Sequence, residues 1–526
     1  MFSEKDTGTR RLLELGIRQK LRRPLHWTHS FMIALSILSP TTCITGLFSQ
    51  GLIYGGPVVL VWGWVCAGSL HTLAAFSMSE LSSAFPVSGG LYYWSFMLGG
   101  NHGPFASWMV GWINLLGQVA IVAGSTFVFV EILAACLFLV TRDLNDNGYY
   151  PSSGMQLYIY AGVLAVCATI NSAPLKVLVR VAKIGAVWQV LGTFTMVAFM
   201  LALTPKQQKW VWVLTDFRSA GSYGITSNVY TVLVGLSGAS WPLMGYDSVA
   251  HMMEETRSAD TTAGKPMPYT LVASFLIGLV YLLALTLCIQ DVQSIVDPSG
   301  SLVNVNSVAL ILWDIFDARY GSGVGAVLLL LLPLGCSFFC AIHTVTSASR
   351  MLYGFSRDQA VPFWRIWQTV DDHGVPVHAV WGMTFAVFLL GLPMLGGATA
   401  FDTASSIATA GLCLAYALPI GFRIVFAHHS FEPGPFSLGR WSVTNAVVAC
   451  IWLLFASAIF MLPQAFPVSV TNNNYTSTAV GSILLAALTA WLVSARHWFS
   501  GPRIDVDNSD AVRVKYWVTD PPRKDL

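Results

Sequence analysis

The chain has 526 residues, 55% of them hydrophobic and only 10% charged, with a formal net charge of +2. A soluble domain carries roughly 25% charged residues, so this composition excludes an ordinary soluble enzyme and points to a polytopic membrane protein. The near-neutral balance also excludes an electrostatically driven nucleic-acid partner. The nine cysteines all fall in apolar segments without a CxxC pair, which indicates buried thiols and no zinc or disulfide framework.

Taken in order, residues 1–28 form a polar, basic tail containing Arg10, Arg11, Arg18, Lys20, Arg22 and Arg23. It opens on charged residues and lacks an apolar stretch with a cleavage site, which argues against a cleaved signal peptide. Apolar runs near the ~20 residues that a bilayer requires follow. They predict twelve spans at 29–50, 57–83, 105–138, 156–173, 181–203, 227–254, 268–290, 322–350, 376–397, 401–427, 441–463 and 477–496. Residues 497–526 are a polar tail. With this assignment 23 of the 28 Lys and Arg residues fall on the side holding both termini, which predicts that this side is cytoplasmic. The sequon Asn474-Tyr475-Thr476 then lies in the outer loop between spans 11 and 12, as a candidate glycosylation site.

Two spans are interrupted. In span 6 the stretch Ser240-Trp241-Pro242-Leu243-Met244-Gly245-Tyr246-Asp247-Ser248 breaks an apolar run. Pro242 removes a backbone donor and Gly245 tolerates non-helical angles. In span 1, Pro40 within Ser39-Pro40-Thr41-Thr42-Cys43-Ile44 predicts a second unwound stretch over residues 36–46. Unwound backbone at membrane depth is tolerated only where protein or a wet cavity surrounds it. Broken helices five spans apart point to an inverted-repeat transporter, with repeats at 29–203 and 227–427 and extra helices at 441–496. That repeat rests on spacing, since spans 1–5 and 6–10 show no convincing residue-level similarity.

Several stretches resemble a known family. They are Tyr54-Gly55-Gly56-Pro57, Ser77-Met78-Ser79-Glu80-Leu81, Ser88-Gly89-Gly90-Leu91-Tyr92, Gly245-Tyr246-Asp247, Glu254-Glu255-Thr256, Thr346-Ser347-Ala348-Ser349-Arg350 with Phe355-Ser356-Arg357-Asp358, and Ala415-Tyr416-Ala417-Leu418-Pro419. Their order from about residue 10 to 425 resembles the amino acid–polyamine–organocation transporter superfamily. The nearest branch is the amino acid/choline one, with fungal GABA and choline permeases and plant bidirectional amino acid transporters. The resemblance implies an all-α, LeuT-type fold of five plus five inverted spans, discontinuous helices 1 and 6 and two extra helices. It also implies alternating access around a site between spans 1, 3, 6, 8 and 10. Many relatives have a Gly-rich break in span 1. Thr41-Thr42-Cys43 stand there in this chain, so side chains replace some close backbone contact.

The candidate substrate site therefore comprises Ser39, Thr41, Thr42, Cys43, Ile44, Gln118, Ser240, Trp241, Leu243, Gly245 and Tyr246. Asp247 is a proton carrier, a partner for a substrate ammonium, or a cap on the second half-helix. A carboxyl taken out of water favours its neutral form, and relatives that respond to protons carry Glu at this position. Trp241 matches an aromatic gate of arginine–agmatine type relatives and could stack on an ammonium; the alternative is a packing Trp. Lys183, early in span 5, either mimics a coupling cation, as a span 5 Lys does in sodium-free relatives, or obeys the positive-inside rule. Glu131 is placed near the outer interface. Glu80 and Arg357 read as gate or packing ion pairs, and Cys336 and Cys340 as core. His251 and Glu254 have metal-ligand spacing, but two ligands make no site. Gly321-Ser322-Gly323 lacks a phosphate-loop ending.

These residues predict a secondary active transporter of amino acids or small amines such as GABA, coupled to protons or acting as an exchanger. It would act in the plasma membrane or an internal one such as the vacuolar membrane. The substrate carboxylate would meet the half-helix amides near Thr42 to Ile44 and its ammonium the carbonyls near Ser240 and Trp241. No cofactor is expected, the partners being a small-molecule substrate, protons and the lipid bilayer. A choline or polyamine permease and an amino acid-sensing transceptor are the alternatives. No nucleophile–base constellation suggests an enzyme.

Overall fold

The computed structural model describes residues 11–12, 23–142, 148–262, 264–292, 295, 305–396, 400–469 and 472–503. Most of the two polar tails lies outside these residues. The described chain is helical. Its helices are α1 (Trp27–Leu38), α2 (Pro40–Ile53), α3 (Gly56–Ala84), α4 (Leu91–Leu98), α5 (Gly103–Thr141), α6 (Ser153–Asn171) and α7 (Leu175–Leu203). A short α8 (Trp210–Thr215) precedes α9 (Asn228–Ser240), α10 (Ser248–His251), α11 (Ala259–Thr262), α12 (Pro266–Cys288) and α13 (Ser307–Tyr320). The chain continues through α14 (Ala326–Arg357), α15 (Trp364–Trp367), α16 (Val377–Gly391), α17 (Ala400–Val425), α18 (Ser442–Phe460) and α19 (Thr476–Val493).

Eleven helices among the described residues, counting α1 and α2 as one, are long and apolar enough to cross a membrane. They match eleven of the twelve predicted spans. The stretch 227–254 does not qualify, because α9 stops after 13 residues at Ser240 and α10 has only four. The remainder is a 3-10 turn at Trp241–Leu243, extended backbone at Met244 and a second 3-10 turn at Met253–Glu255. The expected second half-helix is therefore fragments, for the reason that made the break legible: Pro242 cannot donate and Gly245 takes φ +98°.

The break in span 1 is narrower than the sequence predicts. Only Ser39 leaves the helix, at φ 31°, ψ 67°. Pro40 opens α2 at a position where its missing N–H costs nothing, and Thr41 to Ile44 are helical. A non-glycine residue in the left-handed region costs about 1–2 kcal/mol. Ser39 offsets this by donating its hydroxyl to Gln189 Oε1 at 2.8 Å and meeting Thr42 Oγ1 at 2.6 Å.

The α1–α2 unit, α5 and α17 are mostly buried, whereas α6 and α19 turn most of their surface outward. The two interrupted segments meet at the centre, α1 packing on α10 and α2 on the Trp241–Leu243 turn. Asn474 is half-buried, its Nδ2 donating to Phe460 O at 2.7 Å and Leu462 O at 3.1 Å. Its Oδ1 accepts from Thr476 at the start of α19. The amide that would carry a glycan is thus bonded to the protein's own carbonyls.

Candidate functional site

Asp247 follows the extended Met244 and the left-handed Gly245, and its side chain is fully buried. It stands at the N-cap position of α10 without a side-chain capping hydrogen bond. The carboxylate instead accepts from Tyr416 Oη at 2.7 Å on Oδ1 and from Gln118 Nε2 at 2.9 Å on Oδ2. His251 Nε2 lies 3.2 Å from Oδ2. Tyr416 Oη also accepts from the Gly245 amide at 3.3 Å, and the Tyr246 and Tyr416 rings lie 4.9 Å apart. Helices α5 and α17 thereby hold the unwound segment by its side chain and its backbone together.

Gly245 brings the two breaks into contact. A methyl group there would lie 2.7 Å from Ile37 Cγ2 and 3.1 Å from Ile121 Cδ1. Gly245→Ala is expected to destabilise by about 2–4 kcal/mol, combining left-handed strain with overpacking. Transport should fall with the amount of folded protein on gel filtration. Full stability of that variant would mean that α1 gives way.

The last carbonyls of α1 have found thiols. Cys340 Sγ donates to Ile37 O at 3.2 Å and Cys43 Sγ to Leu38 O at 3.5 Å. Cys43 and Cys340 thus both reach the break, whereas the sequence placed Cys340 with the ordinary core. Thr41 is drawn aside to Gln189 and Thr193. Ile44 faces a different space, a small apolar cavity of about 30 Å³ shared with Trp64 and Gly235.

Lys183 stands elsewhere. It is exposed and lines an outward apolar groove with Ile184, Val187 and Trp188. The span 5 side chain that meets Ser39 is Gln189, whereas Lys183 was read as a cation mimic or a positive-inside residue. The two residues lie six apart, about 240° around the helix. Trp241 is buried, and its ring packs against Gly124, where an added methyl group would meet it at 3.1 Å. Leu243 is fully buried.

Around the carboxylate several buried polar atoms have no protein partner among the described residues. They are Ser240 Oγ, Tyr246 Oη, Ser248 Oγ, Gln118 Oε1 and Asn114 Oδ1. Each would cost about 1–3 kcal/mol if left dry, so this cluster is chemically suited to water or a polar solute.

Three residues absent from the predicted site belong to it: His251, Tyr416 and Asn114, whose Nδ2 lies 3.5 Å from His251 Nε2. The spacing of Asp247 and His251 as i, i+4 could have paired them. His251 was read only as half of a metal site. Its Nδ1 contacts Ser88 O at 3.2 Å, and Ser88 N donates to Glu254 Oε1 at 3.2 Å. Glu254 in turn takes a bidentate pair from Arg357 at 3.0 and 3.2 Å. A continuous chain of contacts therefore runs from Asp247 to Arg357. Beside it Arg350 meets Glu255 at 3.4 Å, and Tyr92 donates to Asp358 at 2.8 Å. Glu131 accepts from Asn306 at 2.8 Å. Among the described residues no three His, Cys, Asp or Glu side chains gather to hold a metal ion.

Comparison with known proteins fits this geometry. The amino acid permease family model matches residues 25–487. The chain is 38% identical over 498 residues to the amino-acid permease BAT1 of Arabidopsis thaliana, covering 94% of this chain and 96% of that one. It is 38% identical over 503 residues to the BAT1 homolog of Oryza sativa subsp. japonica, covering 95% and 96%. An uncharacterised amino-acid permease of Schizosaccharomyces pombe is 29% identical over 511 residues, covering 96% and 91%. A chain of membrane-length helices with two interrupted segments meeting at a buried carboxylate, matched to these permeases over nearly its whole length, belongs to the amino acid permease family of transporters.

Proposed function

We propose that the chain is a secondary active amino acid transporter that works by alternating access and is coupled to protons. The observation that carries the coupling is the Asp247–His251 contact at 3.2 Å. The Ser88 carbonyl can only accept, so His251 Nδ1 donates to it. A neutral ring then turns a lone pair toward Asp247, and a lone pair facing a carboxylate oxygen at this distance is repulsive. A proton between the two resolves the contact, whichever residue owns it. The same chain of contacts leads to the Glu254–Arg357 pair, which serves as a gate on one side of the site. Opening that gate would pull Ser88 from His251 and change where the shared proton sits.

The substrate ammonium is assigned to the Ser240–Trp241 carbonyls and the face of Trp241. Its carboxylate is assigned to the first amides of α2 near Thr42, ahead of the Cys43 amide, which donates to Ser39 O at 3.1 Å. Ordinary amino acids and GABA fit both ends. A polyamine is the second reading, favoured by relatives named as a putative amino acid/polyamine transporter at 29% identity and a putative polyamine transporter at 26%. The interrupted stretch 227–254 counts as a crossing in this reading, which makes twelve and puts both termini in the cytoplasm. Tags on either terminus should then be unreactive in intact cells and react after permeabilisation; an externally reactive tag overturns the topology.

The test of function is uptake by purified protein in liposomes, with labelled amino acids, GABA, choline and putrescine, with and without a pH gradient. Amino acid uptake that rises with an inward proton gradient is the expected result. Uptake of putrescine alone selects the second reading, and indifference to the gradient removes the coupling.

A further inference from the structure

At the end of α19 the chain does not leave the protein. Residues 494–503 turn back under α4 and α5. Phe499 is buried, with its ring 5.3 Å from Trp108 and 6.5 Å from Trp491. Gly501 takes φ +100° and lies against Phe96, where no side chain would fit. The Arg503 amide donates to Asp358 Oδ1 at 3.0 Å. This strap fixes one wall of a groove of about 640 Å³, open to the outside and continuous with the exposed face of α19.

The groove has two chemical ends. Arg496, His497 and His102 stand at its mouth, and Arg496 donates its Nε to His497 Nε2 at 3.2 Å, which holds the guanidinium at the wall. Trp491, Leu492 and Phe105 form the part that runs along the helix. Among the described residues no acidic side chain lines it. Trp498 also lines the groove and is half exposed, as amphipathic rings are at a headgroup boundary.

We propose that this groove is a binding site for one anionic glycerophospholipid, its phosphate and headgroup at Arg496 and His497 and an acyl chain along Trp491 and Leu492. A basic mouth at the end of a membrane helix attracts anionic headgroups. The apolar continuation selects a lipid over free phosphate, because a soluble anion leaves that wall uncovered. A neutral headgroup leaves the Arg496 guanidinium without an anionic partner. The reading that both termini are cytoplasmic decides only the leaflet that supplies the lipid.

The full chain in detergent, titrated with phosphatidylserine or phosphatidylcholine and read by native mass spectrometry, tests the site without any transported substrate, so the result is independent of the transport reading. Phosphatidylserine should bind about tenfold more tightly than phosphatidylcholine. Arg496→Gln should weaken it about fivefold, Arg496→Lys should restore most of the loss, and Arg440→Gln, a basic residue outside the groove, should change nothing. Equal retention of the two lipids would overturn the proposal, as would wild-type binding by Arg496→Gln. Displacement by glycerophosphoserine as strong as by the lipid itself would assign the site to a soluble phosphate and overturn it too. If Arg496→Gln elutes as misfolded protein, His497→Gln carries the same comparison, with an expected loss of about two- to fivefold. Unchanged binding in that variant is again negative.

Discussion

Asp247→Asn should abolish uphill uptake driven by a proton gradient while leaving exchange of internal for external substrate measurable. The substitution keeps the size of the side chain and removes the acid. The surroundings can accept the new amide. Gln118 carries an unpartnered Oε1 and can turn its amide over to receive Asn Nδ2. Tyr416 keeps its oxygen partner on the other side. The break should therefore survive while the proton shared with His251 is lost. Proton-driven accumulation should fall on the order of 100-fold, the scale of losing a charge-assisted contact of about 3 kcal/mol. Exchange needs no proton to reset the empty carrier. If Asp247 pairs instead with the substrate ammonium, affinity falls by a similar factor and exchange fails with it. Wild-type behaviour in both assays across pH removes both readings.

Arg423→Leu should cost about 3–5 kcal/mol of stability, the effect of stranding a buried charge. Glu80 is fully buried and takes four donors: Arg423 at 2.6 Å, Ser442 at 2.6 Å, Ser437 at 3.0 Å and the Leu438 amide at 3.0 Å. The guanidinium also lies over the Phe431 ring, 4.2 Å from its centroid. Together these groups clamp the end of α3 to α17 and to the loop that enters α18. The double variant Glu80→Gln with Arg423→Leu removes the stranded charge and should recover at least half of the loss, since Gln still accepts from Leu438. Unfolding in mixed micelles with increasing dodecyl sulfate measures both variants. A single-variant loss under about 1 kcal/mol would mean that water reaches Glu80 and that the clamp contributes little. The sequence read Glu80 and Arg357 as ion-pair elements but could not name their partners; these are Arg423 and Glu254, 343 and 103 residues away along the chain.

The local chemistry of the chain determined its class and its breaks. Apolar runs of bilayer length, a low charge content, Pro40, and Pro242 with Gly245 act on their own backbone, so they can be read without any partner. Asp247 was legible for the same reason, because a carboxyl inside an apolar run needs a function or a partner wherever the fold puts it. The tertiary structure decided which groups meet. Tyr416 lies 169 residues and Gln118 129 residues from Asp247, and nothing local links them. It also decided how far each break opens. Gln189 and Thr42 satisfy Ser39, and the span 1 break closes to one residue. No equivalent neighbour rebuilds the helix past Gly245, where Ile37 occupies the space a side chain would need. Span 5, where the sequence singled out Lys183 and passed over Gln189, shows the limit most clearly. A soluble helix marks its inner face by hydrophobicity, but a membrane helix is apolar toward lipid and toward protein alike. Which of two polar residues on span 5 faces the site is therefore set by helix rotation in the packed bundle.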